Sequence, residues 1–171
     1  MTPAAAGLAE AKAYLRLETA DEDALVARLI ATASALCERF TGQALVAREI
    51  VETVAADGRW RRLAAAPVQA ITAVEAPAAD GSVRPLAVGD HAIDIDAAGN
   101  GWVRAACAEG RVRVTYRAGL ADSAEAVPEP LRQGVVRLVA HLHAHRDAAD
   151  EGAPPAAVAA LWRPWRRMRL S

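Results

Sequence analysis

Apolar residues recur at helical spacing in two stretches near the start of the sequence. Leu8, Ala11 and Leu15 are typical of a short amphipathic helix within residues 7–17. A longer and broader stripe follows between residues 25 and 40. Its members are Leu25, Val26, Leu29, Ile30, Ala33, Leu36, Cys37 and Phe40. A stripe of this width predicts a helix that is buried along one face.

The period changes between residues 44 and 118, where apolar and polar residues alternate. The clearest strand is RVRVTYR, with Val112, Val114 and Tyr116 on one face and the arginines on the other. Residues 45–54, 68–74 and 92–96 also predict strands, since they are rich in β-branched residues. Turn signals separate these segments at Asp57-Gly58, Asp80-Gly81 and Ala97–Gly101.

Helical spacing returns after residue 128. The apolar positions are Leu131, Val135, Val136, Leu138, Val139 and Leu142, and the pattern fades near Asp147. Residues 148–155 contain Gly152, Pro154 and Pro155 and favour a linker. A short alanine-rich helical turn over residues 156–161 then precedes the C-terminal segment.

Three sites carry signals for the ends of these helices. Thr19 with Glu22 three residues later fits a capping box before the second helix. Gly42 follows the last periodic residue of that helix and suits its C-terminal end. Pro128 and Pro130 suit the first turn of the helix that follows, because proline there loses no helical hydrogen bond.

These patterns predict an α+β fold in which an antiparallel β domain is inserted into a helical bundle. Two N-terminal helices and a long C-terminal helix form the predicted bundle. The expected divisions are residues 1–43 for the helical pair, 44–118 for the β insertion, 119–161 for the C-terminal helical part and 162–171 for a separate tail.

Charge and cysteine content narrow the class of protein. The net charge is −1, which argues against general nucleic-acid binding because such proteins usually carry a clear basic excess. Two cysteines, Cys37 and Cys107, do not make a disulfide framework, so a reducing cytoplasm is expected. The sequence shows no signal-peptide pattern and no apolar run of membrane-spanning length.

Catalytic and metal-binding motifs are weak. His141 and His145 lie one helical turn apart and could share a metal, with Asp147 as a possible third ligand, but the metalloprotease glutamate is missing. A polar helix face with His143 nearer the core is the simpler interpretation. Asp94 and Asp96 resemble a calcium loop only faintly, and a solvated strand face explains them better. We therefore expect no cofactor and no enzymatic activity.

The C-terminal segment combines aromatic, apolar and basic residues. Its members are Trp162, Arg163, Pro164, Trp165, Arg166, Arg167, Met168, Arg169 and Leu170. Tryptophan and arginine are enriched at interface hot spots, so a docking role is favoured over tryptophans that fold back on the domain. The arginines also leave open a nucleic-acid-binding module as an alternative. A metal-dependent enzyme using His141 and His145 is a further alternative.

The ordered set of segments resembles the head–tail connector, or adaptor, family of tailed phages and gene transfer agents. LAEAKAYLRL and DEDALVARLIATASALCERFTGQAL resemble its N-terminal helical pair, and RRLAAAPVQAITAVE and GRVRVTYRAG resemble two of its strands. VPEPLRQGVVRLVAHLHAHRD resembles its long helix, and ALWRPWRRMRL resembles its closing segment. The similarity covers nearly the whole chain. It departs at LHAHRD, where the family pattern has aromatic residues.

The resemblance implies a structural role in virion assembly and DNA packaging. Such adaptors form a ring of about a dozen subunits under the portal, with head-to-tail contacts between subunits. The ring extends the DNA channel, lets DNA pass without specific binding, and offers a platform for a stopper or tail-terminator protein. The expected locations are the bacterial host cytoplasm during assembly and the neck of the particle. The portal is the partner expected for residues 162–170, and no membrane is involved.

Overall fold

The computed structural model describes residues 3–78, 82–145 and 153–167 and has an α+β fold, which confirms the predicted class. The chain divides into two compact units. The first comprises residues 1–46 and 121–171, and the second comprises residues 47–120. Helices occupy the first unit and an antiparallel sheet occupies the second. Within the described ranges, no helix is long and apolar enough to cross a membrane.

The described part of the first unit contains four α-helices. They are α1 (Leu8–Leu15), α2 (Asp23–Thr41), α3 (Glu129–Ala144) and α4 (Ala156–Trp162), and a 3₁₀ turn over Arg163–Trp165 follows α4. The helices α1, α2 and α3 contact one another, and α4 contacts α2 and α3. The linker predicted over residues 148–155 lies mostly outside the described residues.

The core of the first unit follows the predicted apolar stripes with a small rotation. Val26, Ile30, Ala33 and Cys37 are the buried apolar residues of α2, while Leu25, Leu29, Leu36 and Phe40 flank them at half-buried positions. The helix α3 buries Leu131, Val135, Val136, Leu138 and Val139, as the pattern predicts. Burial raises the pKa of the Cys37 thiol, which behaves here as a small apolar side chain.

The ends of α2 differ in how well local sequence signals predict them. Gly42 ends the helix with a left-handed φ of 70°, and its N–H donates to the carbonyl oxygen of Glu38 at 2.8 Å. The predicted capping box is wrong, because α2 begins at Asp23 with Glu22 as N-cap and no side chain caps it. Thr19 therefore lies before the helix. The Glu22 carboxylate instead contacts Nε2 of His143 at 3.1 Å.

The second unit is built around one long central strand. Its described strands are β1 (Arg48–Arg62), β2 (Val68–Pro77), β3 (Val83–Pro85), β4 (His91–Ile95) and β5 (Gly101–Ala118). All of the ladders between them are antiparallel. The strand β5 pairs with β1 along one side, while β4 and β2 pair with successive parts of its other side. The strand β3 extends the sheet beyond β2.

The faces of β5 agree with the alternation in its sequence. Val112, Val114 and Tyr116 are fully buried in the core of the second unit. On the opposite face, Arg113 forms an ion pair with Glu75 on β2 at 2.9 Å, and Arg117 donates to the Gln69 side chain at 2.9 Å. The alternating strand pattern therefore predicted the correct core face.

One turn prediction is corrected, and two strand segments were missed. Asp57-Gly58 is not a turn between strands, because β1 runs through it with shifts in register on both sides of Asp57. Gly58 has a left-handed φ of 78°, which suits a bulge as well as a turn. The first half of β5 and all of β3 were missed. The predicted turn at Asp80-Gly81 lies outside the described residues.

Candidate functional site

The first tryptophan of the C-terminal segment belongs to the core of the first unit. Trp162 is fully buried, and its indole Nε1 donates to the carbonyl oxygen of Leu131 at 3.2 Å. Its ring lies against that of Phe40, with centroids 5.8 Å apart. In this structure its side chain is thus unavailable to fill a pocket on a partner protein.

Gly134 on α3 makes room for this indole. A Cβ atom at residue 134 would lie 2.1 Å from Nε1 of Trp162 and 2.8 Å from its Cδ1. Real Cβ atoms do not approach other atoms so closely, so only glycine leaves space for the ring in this position. The packing of α4 on α3 therefore depends on a residue without a side chain.

The residues after Trp162 form a basic surface at the C-terminal end of α2. Arg163, Pro164 and Arg166 are exposed, and Trp165 is half-buried. The arginines lie where a helix dipole favours positive charge. We call residues 163–167 the basic segment.

Two hydrogen bonds hold the basic segment against the end of α2. The side-chain amide of Gln43 donates to the carbonyl oxygen of Trp165 at 2.6 Å, and the backbone N–H of Arg167 donates to that of Thr41 at 2.8 Å. The Arg166 guanidinium lies 5.8 Å from the centre of the Phe40 ring. The backbone is thus anchored while Arg163 and Arg166 remain accessible. Met168, Arg169 and Leu170 lie outside the described residues.

The histidines at the C-terminal end of α3 are close together but do not complete a metal site among the described residues. The rings of His141 and His145 have centroids 4.4 Å apart, and His143 contacts Glu22. Over residues 3–78, 82–145 and 153–167, no group of three potential ligands could hold a metal ion. Asp147, the possible third ligand, lies outside these ranges.

The Asp96 side chain forms hydrogen bonds that hold the turn between β4 and β5. Its carboxylate accepts hydrogen bonds from the backbone N–H groups of Ala98 and Asn100, the Asn100 amide and the Trp102 indole. The Trp102 and Asn100 bonds are the main causes that lower the pKa of Asp96 to about 2. The carboxylate thus acts as a hydrogen-bond acceptor within the turn.

We expect this contribution of Asp96 to depend on pH. Because the folded-state pKa lies below the ordinary value of 3.8, the stabilisation is present above about pH 4 and is lost as the pH falls through about 2. Asp96→Asn should therefore be less stable than wild type at pH 7, with a difference that shrinks toward pH 2. Thermal unfolding of both proteins from pH 7 to pH 2 measures this. Asp94→Asn, at an exposed residue two positions away, is the control. A difference that stays constant with pH would contradict the assignment.

A second candidate surface lies in the second unit and was missed by the sequence analysis. A groove of about 330 Å³ is lined by Ile71, Thr72, Ala73, Val74, Glu75, Pro85, Leu86, His91 and Ile93. On the opposite side of β5, the strand β1 exposes 44 % of Trp60 between the arginines of the sequence RWRR. This run combines tryptophan and arginine as the C-terminal segment does, and that signal could have indicated the surface.

The two units form an α+β protein with an exposed basic segment and an apolar groove, and the described residues bring no three potential metal ligands together. The family model of head completion proteins matches residues 7–152. This chain therefore belongs to the head completion protein family, which confirms the resemblance inferred from the sequence. No curated protein matches the chain.

Solved structures of gene transfer agent particles are similar along almost the entire chain. A protein in the neck of an empty particle, computed with C6 symmetry, is 30 % identical with a TM-score of 0.80, and the match covers 100 % of this chain and 94 % of that one. A protein in the neck of a native particle with C12 symmetry is 28 % identical with a TM-score of 0.77 and the same coverage. A third, from the virion of a native particle, is 30 % identical with a TM-score of 0.76, covering 96 % and 90 %.

Proposed function

We propose that this protein is a structural subunit of the neck of a phage or gene transfer agent particle, where it forms a ring under the portal. The observation that carries the proposal is similarity over the whole chain to a gene transfer agent neck protein, at a TM-score of 0.80. Family membership supports the same role. Related neck structures computed with C6 and C12 symmetry support a ring of copies.

In this proposal the ring extends the DNA channel and offers a platform for a stopper or tail-terminator protein. The helices of the first unit form a bundle that acts as a rigid body, and the β insertion supplies a second surface. The finer division into residues 1–43, 44–118, 119–161 and 162–171 belongs to the same proposal. Assembly takes place in the host cytoplasm, and DNA crosses the ring without specific binding.

We propose that the basic segment contacts the portal. Because Trp162 is buried, the contact is proposed to use the residues that follow it. Arg163 and Arg166 are exposed and can meet acidic groups, while Trp165 offers a half-buried ring beside them. Trp162 instead holds the segment in place from within the core. Each contact can be weak, because repetition around a ring makes later contacts effectively intramolecular.

The test is a variant with Arg163→Ala, Trp165→Ala and Arg166→Ala in a strain that lacks the native gene. We expect normal folding, because these side chains lie outside the core, together with DNA-filled heads that carry no tails. Electron microscopy of the particles and thermal unfolding of the purified protein measure the two effects. Arg137→Ala, at an exposed arginine of α3, is the matched control.

Two results would count against these proposals in different ways. Normal joining of heads to tails by the triple variant would exclude the basic segment as the portal contact while leaving the neck role intact. Normal tailed particles in the strain that lacks the gene would exclude the neck role itself.

A further inference from the structure

The sheet of the second unit has one face packed into a core and one face turned away from it. Val103, Ala105 and Val112 on β5 belong to the buried cluster of the sheet. Arg104 and Arg111 are their neighbours in the chain and are exposed. Because successive side chains of a strand lie on opposite faces, these two arginines lie on the face away from the core.

The end of β1 adds an aromatic ring and a further arginine to the same face. Trp60 is the register partner of Arg104, and Arg62 follows two residues later on β1. Directly paired residues and residues two apart on a strand lie on one side of a sheet. Trp60 and Arg62 are both exposed. We call Trp60, Arg62, Arg104 and Arg111 the arginine face.

The positive charges of the arginine face are not neutralised by ion pairs. Among the described residues, none of its three arginines is paired with a carboxylate. The charges balance farther along the same face of β5. There, Arg113 is paired with Glu75 at 2.9 Å, and Arg117 has Glu49 as a register partner.

Two aspartates lie beside the arginine face and do not cancel its charge. Asp57 is already paired with Arg61. Asp94 lies on the same face as Arg62, because both are register partners of Trp102, but no ion pair joins the two among the described residues. Three arginines against one unpaired aspartate leave an excess of positive charge on a chain whose net charge is −1.

The indole of Trp60 holds one of these charges in place. The Arg104 guanidinium lies 5.3 Å from the centre of the Trp60 ring, within the range of a cation–π contact. The guanidinium covers one side of the ring, whereas aromatic residues that bind single strands offer an open ring on which bases stack. Trp60 is thus a positioning residue for Arg104.

The spacing of the arginines fits a linear polyanion. Arg104 and Arg111 are seven residues apart on β5, which corresponds to about 20 Å along a strand. Duplex DNA carries one negative charge per about 1.7 Å of its axis, so phosphates are present along this whole length. The planar guanidinium group also matches the geometry of phosphate oxygens.

We propose that the arginine face contacts the phosphate backbone of double-stranded DNA. Phosphate contacts carry no direct sequence information, so the contact is compatible with DNA that crosses the ring without specific binding. The inference rests on the proposed function for the presence of duplex DNA beside the protein. The surface itself is assigned from charge and geometry.

Binding of a labelled duplex of about 20 base pairs to the purified full-length protein tests this contact. Fluorescence anisotropy gives the affinity at several salt concentrations. With three phosphates neutralised, we expect the affinity to fall about 40-fold between about 50 and 200 mM salt, a logarithmic slope of about −2.7. Arg62→Ala with Arg104→Ala should weaken binding at about 50 mM salt tenfold or more and make the slope shallower by about 1.8.

Arg163→Ala with Arg166→Ala is the matched control, because it removes the same charge from the exposed part of the basic segment. We expect its affinity for the duplex to stay within about twofold of wild type, with an unchanged slope. An equal loss in this control would show that net charge, rather than the arginine face, governs binding, and would overturn the inference.

Trp60 provides an independent arm. Trp60→Ala should weaken duplex binding with a nearly unchanged slope, because Arg104 keeps its charge and loses only the ring that positions it. Trp60→Phe retains an aromatic ring and should recover most of the affinity. Melting temperatures establish that all of the variants fold.

The remaining outcomes contradict the inference without touching the neck role, which is tested in particles. Wild-type protein that does not bind the duplex at about 50 mM salt would exclude the contact, and so would an Arg62→Ala/Arg104→Ala variant that binds as wild type does. Tighter binding of a single strand of the same length would indicate base stacking instead. Tighter binding of polyglutamate would indicate an acidic protein as the partner of this face.

Discussion

Replacement of Gly134 by alanine should destabilise the protein, although the same change in an open helix interior usually stabilises it by about 1 kcal/mol. The new Cβ would lie 2.1 Å from Nε1 of Trp162, so α4 must move away from α3. Overpacking of this kind costs about 1–3 kcal/mol and sometimes more, which outweighs the gain in helix propensity. Urea unfolding of wild type and Gly134→Ala measures the difference in the free energy of unfolding.

Two further variants show whether the indole is the cause of this loss. Arg137→Ala changes an exposed residue of the same helix and should leave stability nearly unchanged. Trp162→Phe in the Gly134→Ala background introduces a smaller ring and should recover part of the loss. A Gly134→Ala protein as stable as wild type would show that Trp162 does not occupy this position.

Trp162→Ala should have the largest effect on stability of any single change considered. The side chain is fully buried and fills the space between Phe40, Leu131 and Gly134. Truncation of a buried tryptophan or phenylalanine costs about 3–5 kcal/mol, because a cavity remains. Trp165→Ala, at a half-buried residue of the same segment, should cost about 1 kcal/mol or less. Denaturant unfolding of the two variants gives the comparison.

This pair also distinguishes the two interpretations of the C-terminal tryptophans. If Trp162→Ala keeps wild-type stability yet yields heads without tails, Trp162 is an anchor for a partner and its buried position is wrong. If it loses stability while Trp165→Ala keeps stability and loses tails, the roles are divided as the structure indicates. The second result is the one that we expect.

The elements with a strong local period were predictable from the sequence. In α2, α3 and the second half of β5, the side that an apolar residue occupies depends only on the backbone geometry of its own segment. Val114 and Leu131 could therefore be assigned to cores without knowledge of their partners, and both are fully buried. The order of these segments along the chain also carried the family resemblance, which the family model confirms.

The errors fall where a local signal fits two structures equally well. Asp57-Gly58 suits a turn or a bulge, and pairing with β5 placed it inside a continuous strand. Thr19 and Glu22 have the spacing of a capping box, yet α2 begins later and Glu22 contacts His143 on α3. In both cases, the structure adopts the alternative that goes with a contact to a residue distant in the chain.

The sequence alone determined the α+β class, the core faces of the periodic elements and the family, since each depends on local spacing or on the order of segments. Only the tertiary structure decided that Trp162 belongs to the core while Arg163 and Arg166 face solvent, because the space for the indole comes from Gly134 on another helix. It also decided the groove of the second unit, which residues of β2, β3 and β4 line together. Ile71 and Ile93 are distant in the chain, and packing rather than local preference brings such residues together.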